Sequence, residues 1–234
     1  MAASSTENHK DLLTVPWANI VRFIRQLGHD LRNNLNAAQL QSAYIVELSE
    51  DAELKKEINR LREMISEMAA NLQRVTTGLG QINPTFMSYR AADFVEDLKQ
   101  KIATDFGGQD LKFTWEVQLG DASLNIDPQL LQQAFMELFT NALQHERGEG
   151  ALAVRAYADD GRFVLALREP KARFELSTEN WGYEPLRKSS PRHYGLGLNR
   201  VRIILEAHGG QLRAHYDPNT SVLTTTVTLP LLRE

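Results

Sequence analysis

Cysteine is absent from all 234 residues, so disulfides, thiolate metal sites and cysteine nucleophiles are excluded. Long apolar runs are missing too: nothing approaches the ~18 residues that a bilayer-crossing helix needs. The polar stretch Met1 to Lys10 lacks the apolar centre of a secretory signal. A soluble, cytoplasmic protein with no direct membrane insertion is the expectation. Surplus basic charge is also lacking, because 26 Lys and Arg face 30 Asp and Glu for a formal net charge of −4. Nucleic acid is therefore not an expected partner, since such binding rests on clustered cations that neutralise phosphates. Histidine is sparse, and no histidines have the spacing of a metal site.

What is present reads as a folded chain, with 42% hydrophobic and 24% charged residues. Val15-Pro16-Trp17 predicts a helix start with proline in the first turn. Ile20, Ile24, Leu27, Leu31 and Leu35 then recur at alternating steps of four and three, one apolar stripe continuing towards Val46 and Leu48. Ser49-Glu-Asp51 breaks the pattern. A second stripe follows in Leu54, Ile58, Leu61, Ile65, Met68, Leu72 and Val75, with dense charge between its apolar positions. Two such helices joined by a short loop form an antiparallel hairpin. One hairpin cannot cover a stripe on each helix, so pairing of two copies into a four-helix bundle is expected.

Gly78-Leu-Gly80 through Pro84 is a hinge by its turn formers. Beyond it the pattern predicts a helix over 91–104, a strand over 111–117 and a helix capped by Asp127-Pro128. Strands over 152–157 and 163–167 are joined by Asp159-Asp160-Gly161. A charged, Pro- and Ser-containing loop precedes a helix at 198–207, and a hairpin of 211–216 with 222–229 closes the chain. The fold class is α+β: a helical hairpin followed by an α/β sandwich. The division is a flexible leader at 1–14, a hairpin at 15–79 and the sandwich at 80–234.

Three clusters can carry chemistry. His29 lies mid-helix beside Asp30, whose carboxylate can orient the ring and take the proton lost when nitrogen attacks phosphorus. Asn33, one turn on, shares the His29 face. Glu137 and Asn141 also lie one turn apart, and two hard oxygen ligands on one face suit magnesium bound to phosphates. Gly195-Leu196-Gly197-Leu198 opens the 198–207 helix, where backbone N–H groups and the helix dipole favour an anion. His208 is expected to make a cap contact at that helix end. His145 ends the helix begun at Asp127, and His9, His193 and His215 have no carboxylate partner in a helical frame.

Phe23, His29-Asp-Leu-Arg-Asn33 and Leu35 together resemble the H-box of two-component sensor histidine kinases. The run from Asp127 to His145 resembles the N-box of the GHKL-type (Bergerat) ATP-binding fold. Tyr194-Gly-Leu-Gly-Leu198, its helix and the closing Val227-Thr-Leu-Pro230 resemble that family's last glycine box and final strand. Tyr183-Glu-Pro-Leu186 stands at the place of the lid F-box. Asn34 replaces the usual proline of the H-box, which removes a kink rather than a chemical group. Gln144 stands where the family often has a phosphate-reaching lysine.

The resemblance implies a dimeric histidine kinase that autophosphorylates His29 from ATP and passes the group to an Asp of a response regulator. Glu137 would serve as base and, with Asn141, would hold magnesium against ATP. Input would come from a separate sensor protein or from a part of the protein outside this chain.

One motif departs. After the 163–167 strand the family has Asp-x-Gly-x-Gly, whose Asp receives the adenine amino group. Here the chain reads Glu169-Pro-Lys-Ala-Arg173. Glu169 keeps a carboxylate on a stem one methylene longer, and Lys171 and Arg173 replace the glycines. Loss of a charged hydrogen bond of ~1.5–3 kcal/mol would weaken nucleotide binding by about one to two powers of ten. Two alternatives therefore stand beside the kinase: a histidine phosphotransferase that relays phosphate through His29 without ATP, and a non-catalytic dimeric scaffold.

Overall fold

A computed structural model describes residues 16–107, 113–183 and 195–232. The chain divides into two compact units, Met1–Leu79 and Gly80–Glu234. The leader, Leu111, Glu184 to Leu186, His9, His193 and Tyr194 of the sequence reading lie outside the described residues.

The first unit is a helical hairpin of α1 (Trp17–Leu48) and α2 (Ala52–Gly78). Pro16 takes the N-cap position rather than the first helical one. It has no N–H to leave unsatisfied there, and its carbonyl accepts from Asn19 and Ile20. The turn ends at Asp51, whose carboxylate caps α2 by accepting from the N–H groups of Glu53 and Leu54. Arg25 clamps the far end, donating Nε and Nη2 to the Leu79 carbonyl at 3.1 and 2.5 Å. Ile58 and Ile65 are buried between the helices. The rest of the two stripes is half-buried or exposed, and Phe23, Leu40, Tyr44 and Met64 beside them are, like Leu48 and Met68, more than half exposed. A single hairpin leaves these side chains uncovered, as the two-stripe pattern requires.

The second unit contains β1 (Met87–Arg90), α3 (Ala91–Phe106), β2 (Phe113–Gln118), β3 (Ser123–Ile126), α4 (Pro128–Gln144), β4 (Leu152–Asp159), β5 (Arg162–Pro170), α5 (Gly197–Ala207), β6 (Gln211–Asp217) and β7 (Val222–Pro230). Five strands form a sheet in the order β2-β4-β5-β7-β6, with β2 and β4 parallel and the other neighbours antiparallel. β1 and β3, which the sequence reading did not anticipate, form a separate antiparallel pair. Along β7, Leu223, Thr225, Val227 and Leu229 are buried while the residues between them are not. One sheet face is therefore packed and the other open, as in a two-layer sandwich. The packed face meets Phe94 and Leu98 of α3, Phe135 and Phe139 of α4, and Val201 and Ile204 of α5 in one hydrophobic core.

Two contacts fix the start of α4. Asp127 accepts from the N–H groups of Gln129, Leu130 and Thr85. These bonds outweigh the opposing effect of burial and hold its carboxyl below the ordinary aspartate range. His208, at the end of α5, sends Nδ1 to the Ile204 carbonyl at 2.7 Å and Nε2 to the Asp127 N–H at 3.0 Å. A carbonyl only accepts, so the proton sits on Nδ1 and Nε2 is the acceptor. His208 is thus a cap contact, as expected, and also a buried bridge to a residue 81 positions away.

Candidate functional site

His29 stands on α1 with its side chain 65% exposed. The preceding residue places it there. Gly28 is buried against α2, and a Cβ at this position would lie 2.3 Å from the Thr76 methyl carbon. Only a glycine lets α2 come this close. Arg32 donates to Gln73 and, at 3.3 Å, to Thr76 on α2, which ties the next turn down. The imidazole Nδ1 lies 3.2 Å from Asp30 Oδ1, and Gln26 donates to the same oxygen at 3.0 Å. These two hydrogen bonds hold the Asp30 carboxyl below the usual aspartate range, so it is ionised near neutrality. A carboxylate accepts only, so this pairing puts the ring proton on Nδ1 and leaves the Nε2 lone pair available. Asn33 Nδ2 lies 3.5 Å from the same Nδ1, on the same helix face. His29, Asp30 and Asn33 are therefore together, as the spacing implied.

In the second unit, Glu137 and Asn141 are half-buried on α4, and Asn141 Nδ2 reaches Glu137 Oε1 at 3.4 Å. The Glu137 carboxylate packs on the first residue of α5: a Cβ on Gly197 would sit 1.8 Å from Glu137 Oε1. Gly195 has φ +64°. A side chain at 197 would therefore displace the Glu137 carboxylate from the N-terminus of α5. Among the described residues no three His, Asp or Glu side chains cluster into a metal site. Any cation held by Glu137 and Asn141 would need ligands from phosphate or water.

Other residues escaped the sequence reading. Asn199 Nδ2 donates to the Gly182 carbonyl at 3.0 Å, and Arg202 Nε donates to the same oxygen at 3.1 Å. The Arg202 guanidinium also lies over the Tyr183 ring, 4.5 Å from its centroid. These contacts anchor residues 181–183 to α5; the pattern of a lone polar helix gives no hint of them. A cavity of about 610 Å³ opens beside this anchor, lined by Trp181, Tyr183, Arg202 and Arg213 among others. Its lining includes none of Glu137, Asn141 and Glu169, so it is separate from the cluster built on α4.

Residues 126–233 match the family model of histidine kinase-, DNA gyrase B- and HSP90-like ATPases. The sensor histidine kinase ZraS of Klebsiella oxytoca is 24% identical over 204 residues, covering 85% of this chain and 44% of that protein. The alginate biosynthesis sensor protein KinB of Pseudomonas aeruginosa is 22% identical over 210 residues, covering 84% and 34%. Among solved structures, full-length ShkA in complex with AMPPNP is similar with a TM-score of 0.70 at 16% identity, covering 91% of this chain and 46% of that one. The chain is thus similar over most of its length to sensor histidine kinases, and residues 126–233 carry the match to the ATPase family. It spans less than half the length of these sensor kinases.

The segment after β5 is where the sequence departs from the motif it otherwise resembles. Glu169, 4% exposed, and Lys171, 6% exposed, are both buried, with Lys171 Nζ 2.7 Å from Glu169 Oε2. The ammonium also donates to the His145 carbonyl at 2.7 Å. Its contact with Oε2 is close but poorly directed, so the carboxylate gains a counter-charge and Oε2 still lacks an aligned hydrogen bond. Burial pushes the Glu169 carboxyl above the ordinary glutamate range, and the Lys171 ammonium opposes that shift. A buried carboxylate oxygen with an open acceptor direction fits an amino donor such as that of adenine. Lys171 Nζ already stands 2.7 Å from it. Glu137, Asn141 and the N-terminus of α5 meet at one place, a donor set that suits a magnesium-bound phosphate.

Proposed function

We propose that this chain is the phosphoryl-transferring part of a two-component histidine kinase, with His29 carrying the phosphoryl group. The observation that carries this reading is the exposed His29 imidazole with Asp30 on its Nδ1. Nε2 attacks phosphorus and forms the N–P bond as the donor's bond to phosphorus breaks. The ring becomes cationic, and its Nδ1 proton passes to the Asp30 carboxylate. In the second half-reaction a carboxylate oxygen of a receiver Asp attacks phosphorus, the N–P bond breaks and the pair returns to Nε2. Asp30 then gives the proton back to Nδ1. Asn33 lies on the face that a docked response regulator would cover.

ATP is the donor this reading assigns. Glu137 and Asn141 would hold magnesium, and the backbone of Gly195, Leu196, Gly197 and Leu198 would face the phosphates. Glu169 would face the base. Bound with magnesium, ATP supplies the phosphoryl group and the metal offsets charge that builds during transfer. The protein acts as a homodimer, supported by the uncovered apolar side chains of α1 and α2. It works in the cytoplasm, and its input comes from a separate sensor protein or a region beyond this sequence.

A second reading has a specific observation in its favour. The Glu169–Lys171 pair at the base end suits a histidine phosphotransferase that takes its phosphoryl group from an aspartyl phosphate rather than from ATP. Parallel incubation with radiolabelled Mg-ATP and with a labelled, phosphorylated receiver domain separates the two. Label from ATP supports the kinase, and label from the receiver alone supports the phosphotransferase. Equal labelling of His29→Gln and the parent would overturn both.

A further inference from the structure

We propose that Lys171 is an internal occupant of the base-anchoring end of the nucleotide site, so that adenine is held by Glu169 only when the lysine side chain has swung away. The inference rests on the reading of the second unit as nucleotide-binding, and deepens it.

The backbone around Lys171 is clamped. Its N–H donates to the Ser221 carbonyl at 2.8 Å, Gly148 N–H donates to the Pro170 carbonyl at 2.9 Å, and Ala172 N–H donates to the Glu146 carbonyl at 2.9 Å. Residue 148 packs so closely that a Cβ there would come within 2.9 Å of the Lys171 carbonyl carbon. Only the flexible four-carbon stem is left free to move. At its tip the ammonium takes the His145 carbonyl and the charge of Glu169.

Lysine is almost never fully buried unless paired, and this one is paired with the carboxylate that stands at the family's adenine-binding position. Both side chains are buried and the ammonium stands 2.7 Å from Oε2. An adenine amino group reaching Glu169 therefore has to displace the ammonium. The exchange gives up the 2.7 Å ion pair, and that cost weakens adenine binding in the parent. The phosphate end is untouched, since Glu137, Asn141 and Gly197 keep their own packing. Lys171 thus sets whether and how tightly adenine nucleotides are taken, independently of the phosphoacceptor.

Calorimetric titration of Mg-ADP into the full chain tests this, comparing the parent with two double variants. Glu169→Asp with Lys171→Gly restores the residue types expected at the two positions. Glu169→Gln with Lys171→Gly clears the occupant, keeps an amide oxygen as acceptor and leaves no charge buried alone. A cooperative thermal melt is required of each. The expected result is binding at least about tenfold tighter in the folded variants than in the parent, because neither has to break the buried ion pair before adenine is held. A parent that binds as tightly as the folded variants, or more tightly, overturns the proposal. Acceptance of label at His29 from a phosphorylated receiver is measured on the same samples. Its loss counts against the His29 reading alone, while unchanged nucleotide affinity counts against Lys171 alone.

Discussion

Lys171→Met as a single substitution leaves the Glu169 carboxylate buried with no counter-charge. Both side chains of the pair are no more than 6% exposed and their charged atoms are 2.7 Å apart, so solvent offers little relief. Breaking a buried pair from one side costs about 3–5 kcal/mol. For a protein of this size that is roughly 2–4 °C of melting temperature per kcal/mol, a loss of about 6–20 °C near pH 7. The penalty has a definite pH signature. The folded-state pKa of Glu169 is already raised by burial against the pull of Lys171, and losing the lysine raises it further. A raised carboxyl favours the fold fully below the unfolded value of ~4.3 and loses that contribution as pH rises through the folded value. The deficit of the variant should therefore be large at neutral pH and shrink as pH falls towards about 5. Urea or thermal melts of parent and variant across this range measure it. A deficit under about 1 kcal/mol at pH 7, or one that does not change with pH, would refute the account of this pair. Adding Glu169→Gln should recover most of the loss, because replacing both charges removes the unpaired group.

Further outcomes follow from the hairpin. Gly28→Ala forces a methyl group to within 2.3 Å of Thr76 Cγ2; the overpacking should cost about 1–3 kcal/mol in hairpin stability, and phosphoryl acceptance at the adjacent His29 should fall with it. Asp30→Asn removes the proton acceptor and orienting group on Nδ1, so phosphoryl acceptance from a phosphorylated receiver should slow by roughly 100-fold with the melting temperature little changed; an unaltered rate would remove Asp30 from the mechanism. Leu40, 74% exposed, and Met64, 60% exposed, lie on the uncovered faces of α1 and α2. Light scattering should give a dimer for the parent and a monomer for Leu40→Glu with Met64→Glu, and a monomeric parent would contradict the dimer.

Most helices were legible because their signals are local. Asp127-Pro128 reads as a cap and a first helical residue, and Asp127 does cap α4. The stripes of α1 and α2 and the break at Ser49-Glu-Asp51 need only periodicity and turn chemistry. β1 and β3 were not legible: each has four residues, and they pair with each other across a helix and another strand, Tyr89 opposite Leu124. Such pairing is set by the tertiary fold. The adjacency of His29, Asp30 and Asn33 followed from helix geometry, and so did that of Glu137 and Asn141. Lys171 was visible in sequence only as bulk and charge in place of glycine. That its ammonium turns inward onto Glu169 depends on the strand ends, on the Ser221 carbonyl and on residues 146–148, which no local pattern connects. His208 hid its bridge to Asp127 for the same reason.

The central claim is that His29 carries the phosphoryl group on Nε2 while Asp30 holds Nδ1. Phosphorus-31 NMR of the chain after incubation with a phosphoryl donor, at alkaline pH where phosphohistidine is preserved, distinguishes the two ring nitrogens directly. The account predicts a single phosphoramidate resonance of the Nε2 type that is missing in His29→Gln. An Nδ1-type resonance, or a phosphoramidate signal that survives in His29→Gln, would contradict it.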